Sequence, residues 1–424
     1  MHSPRFAFLI GASLSALMAA GPAGAETLQE AIASAFETNP SLQIERYRTE
    51  IARENLGLAR SAGMPQVSLS AGGGYEYVDT NSIVTFGTGD RPIASAQLQA
   101  TQPIYTGGRI SAGIRQAEAG ISAADRSFDA ATQDLILDVV TAYVNVRRDR
   151  EAVAIRKNNV DVTGEQVRAA EDRFEVGVVT LTDVAQAKAR LEGARAALAG
   201  AEAALVGSEA FYQFLTGLAP GVLASPPPVP PLPASLEAAT AEGIANNPSI
   251  EAARQQLRAA GAGVDVAQSQ GRPQISIVGT AGVQETFGDD SRRDTNVSAV
   301  AQGRIPLFTG GAVKAQVNSA KLQREQARRQ VDALETQVRA QVAQAWFGYS
   351  ASLRAIEASQ RQVEAAEIAY EGAKEELAVG VRTTLDVLDQ EQQLFEARLS
   401  LVAAERDAYV AAHQLLRATG NLGS

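Results

Sequence analysis

Pro103-Ile104-Tyr105-Thr106-Gly107-Gly108 returns 203 positions later as Pro306-Leu307-Phe308-Thr309-Gly310-Gly311, and this pair organises the whole chain. Downstream, Val176-Gly177-Val178 and Asp183 return at the same spacing as Val379-Gly380-Val381 and Asp386, and Thr216-Gly217 returns as Thr419-Gly420. Upstream the spacing is 208: Asn39-Pro40 matches Asn247-Pro248, and Gly63-Met64-Pro65-Gln66-Val67-Ser68 matches Gly271-Arg272-Pro273-Gln274-Ile275-Ser276. A unit of about 200 residues written twice implies a pseudo-symmetric molecule. The spacing changes between the two proline motifs, so the length difference belongs to a loop there.

Composition narrows the classes of function. Arg5, the apolar stretch Phe6 to Ala20 and the small residues Ala23-Gly24-Ala25 read as a cleavable export signal over 1–25. No later stretch reaches the ~18 to 20 apolar residues of a spanning helix, so an exported product is periplasmic, secreted or a β-barrel. There is no cysteine, and beyond His2 the sole histidine is His413, read as a surface or packing residue. Thiolate metal sites, disulfides and histidine-based triads lack their components. The formal net charge of −10 argues against a nucleic-acid partner. We expect no enzyme activity, no cofactor and no metal.

Each copy opens with helices, roughly 27–37 and 41–62, then 236–246 and 249–270, each pair broken at Asn-Pro-Ser. The period then changes. Val67, Leu69, Ala71, Gly73, Tyr75 and Tyr77 alternate with Ser68, Ser70, Gly72 and Glu76; Ile275, Ile277, Gly279, Ala281 and Val283 do the same in the second copy. This predicts strands of 10 to 13 residues with one apolar and one mostly polar face. Polar loops at 79–92 and 288–294 separate each from a second strand running to Pro103 or Pro306. Tyr75, Tyr77, Phe86, Tyr105, Phe287 and Phe308 fall near strand ends, as interfacial aromatics do. Two hairpins cannot close a barrel and open edges do not persist in lipid, so four strands demand a soluble sheet or an oligomer.

No proline interrupts Gly108 to Val176 or Gly311 to Val379. About 70 helical residues make a rod of about 100 Å. Val139, Val146, Val153, Val160, Val167 and Phe174 recur every seven residues, and Val342, Tyr349, Ile356, Val363, Tyr370 and Leu377 repeat the row 203 positions on. Two residues later, Ile155, Val162, Ala169 and Val176 form a second seam about 200° around the helix. A helix with seams on both flanks belongs in a wall of helices. Shorter return helices at 181–216 and 383–418 complete two hairpins, and a stiff proline-rich connector at 223–234 joins repeat 26–222 to repeat 235–424.

These features resemble the TolC family of outer-membrane efflux proteins over nearly all of the mature chain. Leu377-Ala378-Val379-Gly380-Val381-Arg382-Thr383-Thr384-Leu385-Asp386-Val387-Leu388-Asp389 is very close to that family's second helix tip, and Glu175 to Val184 resembles the first. The resemblance implies a mixed α and β membrane protein, a homotrimer. Four strands from each of three chains would form a 12-stranded outer-membrane barrel, continuous with a periplasmic coiled-coil tunnel. It further implies an exit duct that passively conducts substrates from an inner-membrane transporter and a periplasmic adaptor. The cargo would be small molecules, or polypeptides in type I secretion.

The family pattern also implies residue roles. Val176, Gly177, Val178, Val379, Gly380 and Val381 would dock the adaptor, although glycine at both turns also has a purely conformational reason. Asp386 and Asp389 would form an acidic constriction, with pKa values raised by mutual repulsion. Thr383-x-x-Asp386 and Thr180-x-x-Asp183 equally read as helix-capping pairs, while Asp389 lies beyond its cap and has Gln186 as its counterpart. Thr182, Asp183 and Arg382 would latch the closed state through polar links. Leu377 stands where the family often has a tyrosine, which suggests a looser latch. From another class, a pore-free periplasmic coiled-coil scaffold would share the helices but has no use for two alternating strand hairpins.

Overall fold

The computed structural model describes residues 25–78, 89–288 and 291–423. The expected export signal at 1–25 lies outside them except for Ala25, as do Phe86 and the centres of both polar loops. Among the described residues, four helices and two strands occur in each half. The first half holds α1 (Leu28–Thr38), α2 (Pro40–Ser61), β1 (Gln66–Val78), β2 (Gly89–Tyr105), α3 (Arg109–Glu175) and α4 (Leu181–Thr216). The second holds α5 (Leu236–Asn246), α6 (Pro248–Ser269), β3 (Gln274–Thr286), β4 (Arg292–Arg304), α7 (Ala312–Ala378) and α8 (Thr384–Thr419).

Local chemistry sets the boundaries. Asn39 and Asn247 cap α2 and α6, each side chain accepting from the amide two residues on, and Pro40 and Pro248 occupy the first helical position, where no amide is needed. The long helices α3 and α7 each have 67 residues, a rod of about 100 Å. Both start behind a left-handed glycine, Gly108 (φ 90°) and Gly311 (φ 85°).

α3 is the centre of a layer of helices. It packs on α4 and α2 of its own repeat and on α6 and α8 of the other. Its middle, with Val139, Val140, Ala142, Tyr143 and Val146 sealed from solvent, joins Leu28, Ala31 and Ala35 of α1 and Leu215 of α4 in the largest core. The Tyr143 hydroxyl lies 2.8 Å from the carbonyls of both Glu26 and Ala224, which pins the segment before α1 and the connector to the same helix. His413 is buried here, its Nδ1 2.8 Å from the Tyr409 carbonyl and its ring 4.5 Å from that of Tyr409, so of the two expected roles it packs.

The four strands form one antiparallel sheet in the order β1-β2-β3-β4. Its register sorts side chains by polarity. Leu69, Leu98, Ala281 and Val297 share one row, flanked by Val67-Ala100-Gly279-Ala299 and Ala71-Ala96-Val283-Thr295. The opposite face carries Ser68-Gln99-Thr280-Ser298 and Ser70-Gln97-Gly282-Asn296. Within one chain the apolar face has no cover: Leu69 is 72% exposed and Val297 80%. No described helix is long and apolar enough to cross a membrane.

The expected bounds of two strands are corrected. β2 begins at Gly89, not after 92, because Val78 to Tyr75 pair with Gly89 to Pro92 and Arg91 reaches Glu76 across the pair; it runs for 17 residues. β4 begins at Arg292, inside the loop expected over 288–294, because Arg292 to Asp294 pair with Thr286 to Gln284. It stops at Arg304, short of Pro306, whereas β2 continues through Pro103 with a register shift between Pro103 and Tyr105. Proline cannot donate to a ladder. β1 begins with Gln66 opposite Thr101, so past that point β2, like β4, is paired on β3 alone, and it passes Pro103 through the register shift.

The two copies also differ in what surrounds them. Gly107 (φ 64°) is packed so closely that a Cβ would lie 2.6 Å from Arg272 Cβ and 2.9 Å from the Ser269 carbonyl oxygen. Its counterpart Gly310 (φ 58°) has nothing within 4 Å. Correspondingly α3 is flanked by α6 and α8, while α7 buries only Ala320, Val331, Val338, Val342 and Ala373.

Candidate gate and docking end

Both hairpins turn in the same way at the end far from the sheet. The amides of Gly177 and Val178 donate to the carbonyls of Phe174 (2.9 Å) and Arg173 (2.8 Å); those of Gly380 and Val381 donate to Leu377 (3.1 Å) and Glu376 (2.9 Å). This is a Schellman ending, with glycine in the left-handed region at φ 77° and 78°. The flanking valines have nothing to pack on. Val176 is 74% exposed, Val178 70%, and Val379 and Val381 75% each. Thr182 is exposed as well.

The return helices begin with reciprocal caps. Thr180 Oγ1 accepts from the Asp183 amide, and Asp183 accepts from the Thr180 amide and hydroxyl, both at 2.8 Å. Thr383 and Asp386 repeat this at 3.0 Å and 2.7 Å. Within the chain these bonds to Thr383 hold the Asp386 carboxyl below the usual carboxylate range, with a smaller contribution from Arg382. Hydrogen bonds to the ionised form favour it, which sets this direction within one chain. Asp183 is lowered for the same reason.

Asp389 is also engaged. Arg190 on α4 reaches its carboxylate at 2.5 Å, joining the two hairpins near their turns. Arg173 at the end of α3 donates to Thr384 Oγ1 at 3.2 Å, a second tie between hairpins. Beneath these, Val167, Ala170, Val184, Ala187 and Leu388 form a small apolar core of α3, α4 and α8. The expected latch set is not brought together within one chain: Arg382 pairs with Glu376 at 2.5 Å, and Asp183 is committed to its cap. The pairing is local because Glu376 and Arg382 flank the same tight turn.

Three residues of this end escaped sequence reasoning. Arg190 and Arg173 carry no local pattern, since their partners lie 199 and 211 positions away. Glu391 did leave a signal. It falls between Val387-Leu388 and Leu394-Phe395 on the apolar stripe of α8, and it is 2% exposed with neither carboxyl oxygen hydrogen-bonded. Burial raises its pKa to about 7, against a weaker opposing effect of Lys374.

The family model described as Outer membrane efflux protein matches residues 31–217 and 241–421. Outer membrane efflux protein BepC of Brucella suis biovar 1 is 33% identical over 398 residues, which cover 94% of this chain and 86% of BepC. Outer membrane protein TolC of Escherichia coli K12 is 28% identical over 433 residues, 98% of this chain and 86% of its own. The crystal structure of the Campylobacter jejuni CmeC outer membrane channel shares the fold, with a TM-score of 0.82 across 99% of this chain and 94% of that one at 19% identity. The chain is an outer membrane efflux protein of the TolC family.

Proposed function

We propose that three copies of this chain assemble into an outer-membrane exit duct. Such a duct passes substrates from an inner-membrane transporter and a periplasmic adaptor to the exterior. The observation that carries this reading is the sheet: apolar on one face, polar on the other, uncovered, and open at β1 and β4. Thirteen strand residues extend about 43 Å, which at a tilt of ~45° spans about 30 Å, the thickness of a hydrocarbon layer. Backbone groups at β1 and β4 require partners in lipid, and a neighbouring copy supplies them.

The duplication supports one way for the copies to meet. In one chain the first repeat's β2, α3 and Gly107 contact the second repeat's β3, α6 and the Ser269 to Pro273 corner. The second repeat's β4, α7 and Gly310 would contact β1, α2 and the Ser61 to Pro65 corner of the next copy in the same way. Repetition of this head-to-tail contact closes a ring. Three chains would give a 12-stranded barrel, and α3, α4, α7 and α8 a tunnel tapering to the valine tips. There the exposed valines would dock the adaptor's helices. Asp386 and Asp389 would form the constriction, with Arg190 as an additional tie; Thr182, Asp183 and Arg382 would link neighbouring copies.

A cysteine-free chain makes the test direct. In-chain pairing of Ala100 with Gly279 maps, through the 203 and 208 spacings, to Gly303 (100 + 203) against Ala71 (279 − 208) of the next copy. The double variant Ala71→Cys with Gly303→Cys should form covalent trimers under mild oxidation, and neither single variant should. Monomers alone, or dimers from the single variants, would contradict the arrangement.

A further inference from the structure

Glu371, Lys374 and Glu391 are the second-copy counterparts of Arg168, Glu171 and Lys188, each 203 positions on, with every charge reversed. In the first hairpin the pair is made: Lys188 Nζ lies 2.7 Å from Glu171 Oε1, tying α4 to α3. In the second it is broken. Lys374 Nζ turns to Glu371 on its own helix at 3.1 Å and sits 5.2 Å from the Tyr370 ring centroid. Glu391 is left buried and without a hydrogen bond, beside a cavity of about 230 Å³ between α8 and the first hairpin.

The groups around Glu391 can be named for each helix. α3 presents Arg156, Asn159 and Thr163 to the cavity, α4 presents Arg190, and α8 itself Gln392. α7 faces it with Lys374 and Tyr370, with Glu371 behind Lys374. Asn159 and Thr163 are satisfied by each other at 3.0 Å, and Arg190 holds Asp389. An ionised, unpartnered carboxylate here would be costly, so the arrangement shown suits the neutral acid. The sister hairpin shows that helices of this geometry accept a direct ammonium–carboxylate bond at this position.

We propose that Glu391 and Lys374 form a proton-controlled clasp that selects what α8 is bound to. With Glu391 neutral, α8 is seated on the first hairpin and Arg190 keeps Asp389. When Glu391 loses its proton to water in the cavity, it takes Lys374 from Glu371 and ties α8 to α7. The seat on the first hairpin weakens, and the second hairpin is free to swing as a unit. This inference rests on the duct reading. Direction follows from the charges: acid favours the seated, closed arrangement, and alkali the released one.

The test is single-channel conductance of the purified protein in planar bilayers across pH 6 to 8, a window set by the Glu391 pKa of about 7. The parent's conductance should rise with pH, with a midpoint near that value. Glu391→Gln should hold the pH 6 level throughout. Lys374→Met removes the cation that favours ionisation and should move the midpoint up by about one pH unit or more. A purely structural role for the pair would not move a midpoint. A conducting parent with a flat profile, a Glu391→Gln protein that keeps the parent's profile, or a Lys374→Met midpoint unmoved or lowered would each overturn the clasp. If Glu391→Gln does not fold, the parent and Lys374→Met profiles decide alone. A correctly inserted parent without conductance would instead overturn the duct.

Discussion

Gly380→Ala and Gly420→Ala place the same methyl group on the same backbone conformation in two different surroundings. The φ angles are 78° and 79°. An alanine in the left-handed region costs about 1 to 2 kcal/mol, offset by about 0.4 to 1 kcal/mol from a less flexible unfolded chain. At Gly380 nothing lies within 4 Å of the added Cβ, so the net loss should be about 1 kcal/mol. At Gly420 the Cβ would sit 2.6 Å from the Asn246 carbonyl oxygen and 2.8 Å from Asn247 Cα, both backbone atoms where α8 ends against α5. Displacing them adds about 1 to 3 kcal/mol, for a total near 3 kcal/mol. Heat unfolding of the purified variants, followed by far-UV circular dichroism, should separate them clearly, with Gly177→Ala (φ 77°, also open) behaving like Gly380→Ala. Equal losses at Gly380 and Gly420 would refute the reasoning, because they would mean that the tip is packed rather than free.

Other consequences follow from the same geometry. Thr180→Ala and Thr383→Ala should each cost about 1 kcal/mol by removing a helix cap, read as faster amide exchange at the starts of α4 and α8. Leu98→Arg puts a charge on the apolar face of the sheet and should cost about 2 to 4 kcal/mol at mid-membrane, abolishing outer-membrane assembly, whereas Gln97→Arg, on the opposite face, should assemble and weaken any preference for cations. Glu391 has its folded pKa raised to about 7 from 4.5. Between these values the folded state binds more protons than the unfolded, so stability falls as pH rises through the window, by no more than about 3 kcal/mol. Glu391→Gln should remove that fall in urea titrations at pH 5 and 8.

Patterns that act over a few residues were legible in the sequence. Thr180-x-x-Asp183 and Thr383-x-x-Asp386 could be read as caps because capping is settled within four residues. Gly177 and Gly380 could be read as turns because only glycine takes φ near 80° at little cost. The alternation from Val67 to Tyr77 gave the polarity of both sheet faces, since pairing preserves it. The ends of the strands were less accessible. Gly89, Asp90 and Arg91 have loop composition, yet they pair with Val78, Tyr77 and Glu76 because β1 is already there as a template. Arg190 reaching Asp389, and Arg382 choosing Glu376, depend on distances between helix ends that no local pattern encodes. Glu391 was readable in principle, as an acid inside the apolar stripe of α8. The charge reversal against Lys188 and Glu171 becomes meaningful only once both hairpins are superimposed by their spacing.

The most direct test of the duct is single-channel recording of the purified protein beside Asp386→Ala with Asp389→Ala. The account predicts stable, cation-preferring conductance steps in the parent, with the preference reduced and block by multivalent cations altered in the double variant. A protein that stays soluble in the periplasm and never inserts would contradict the duct. Conductance with selectivity untouched by the double variant would keep the duct and leave the two aspartates as a helix cap and a partner for Arg190.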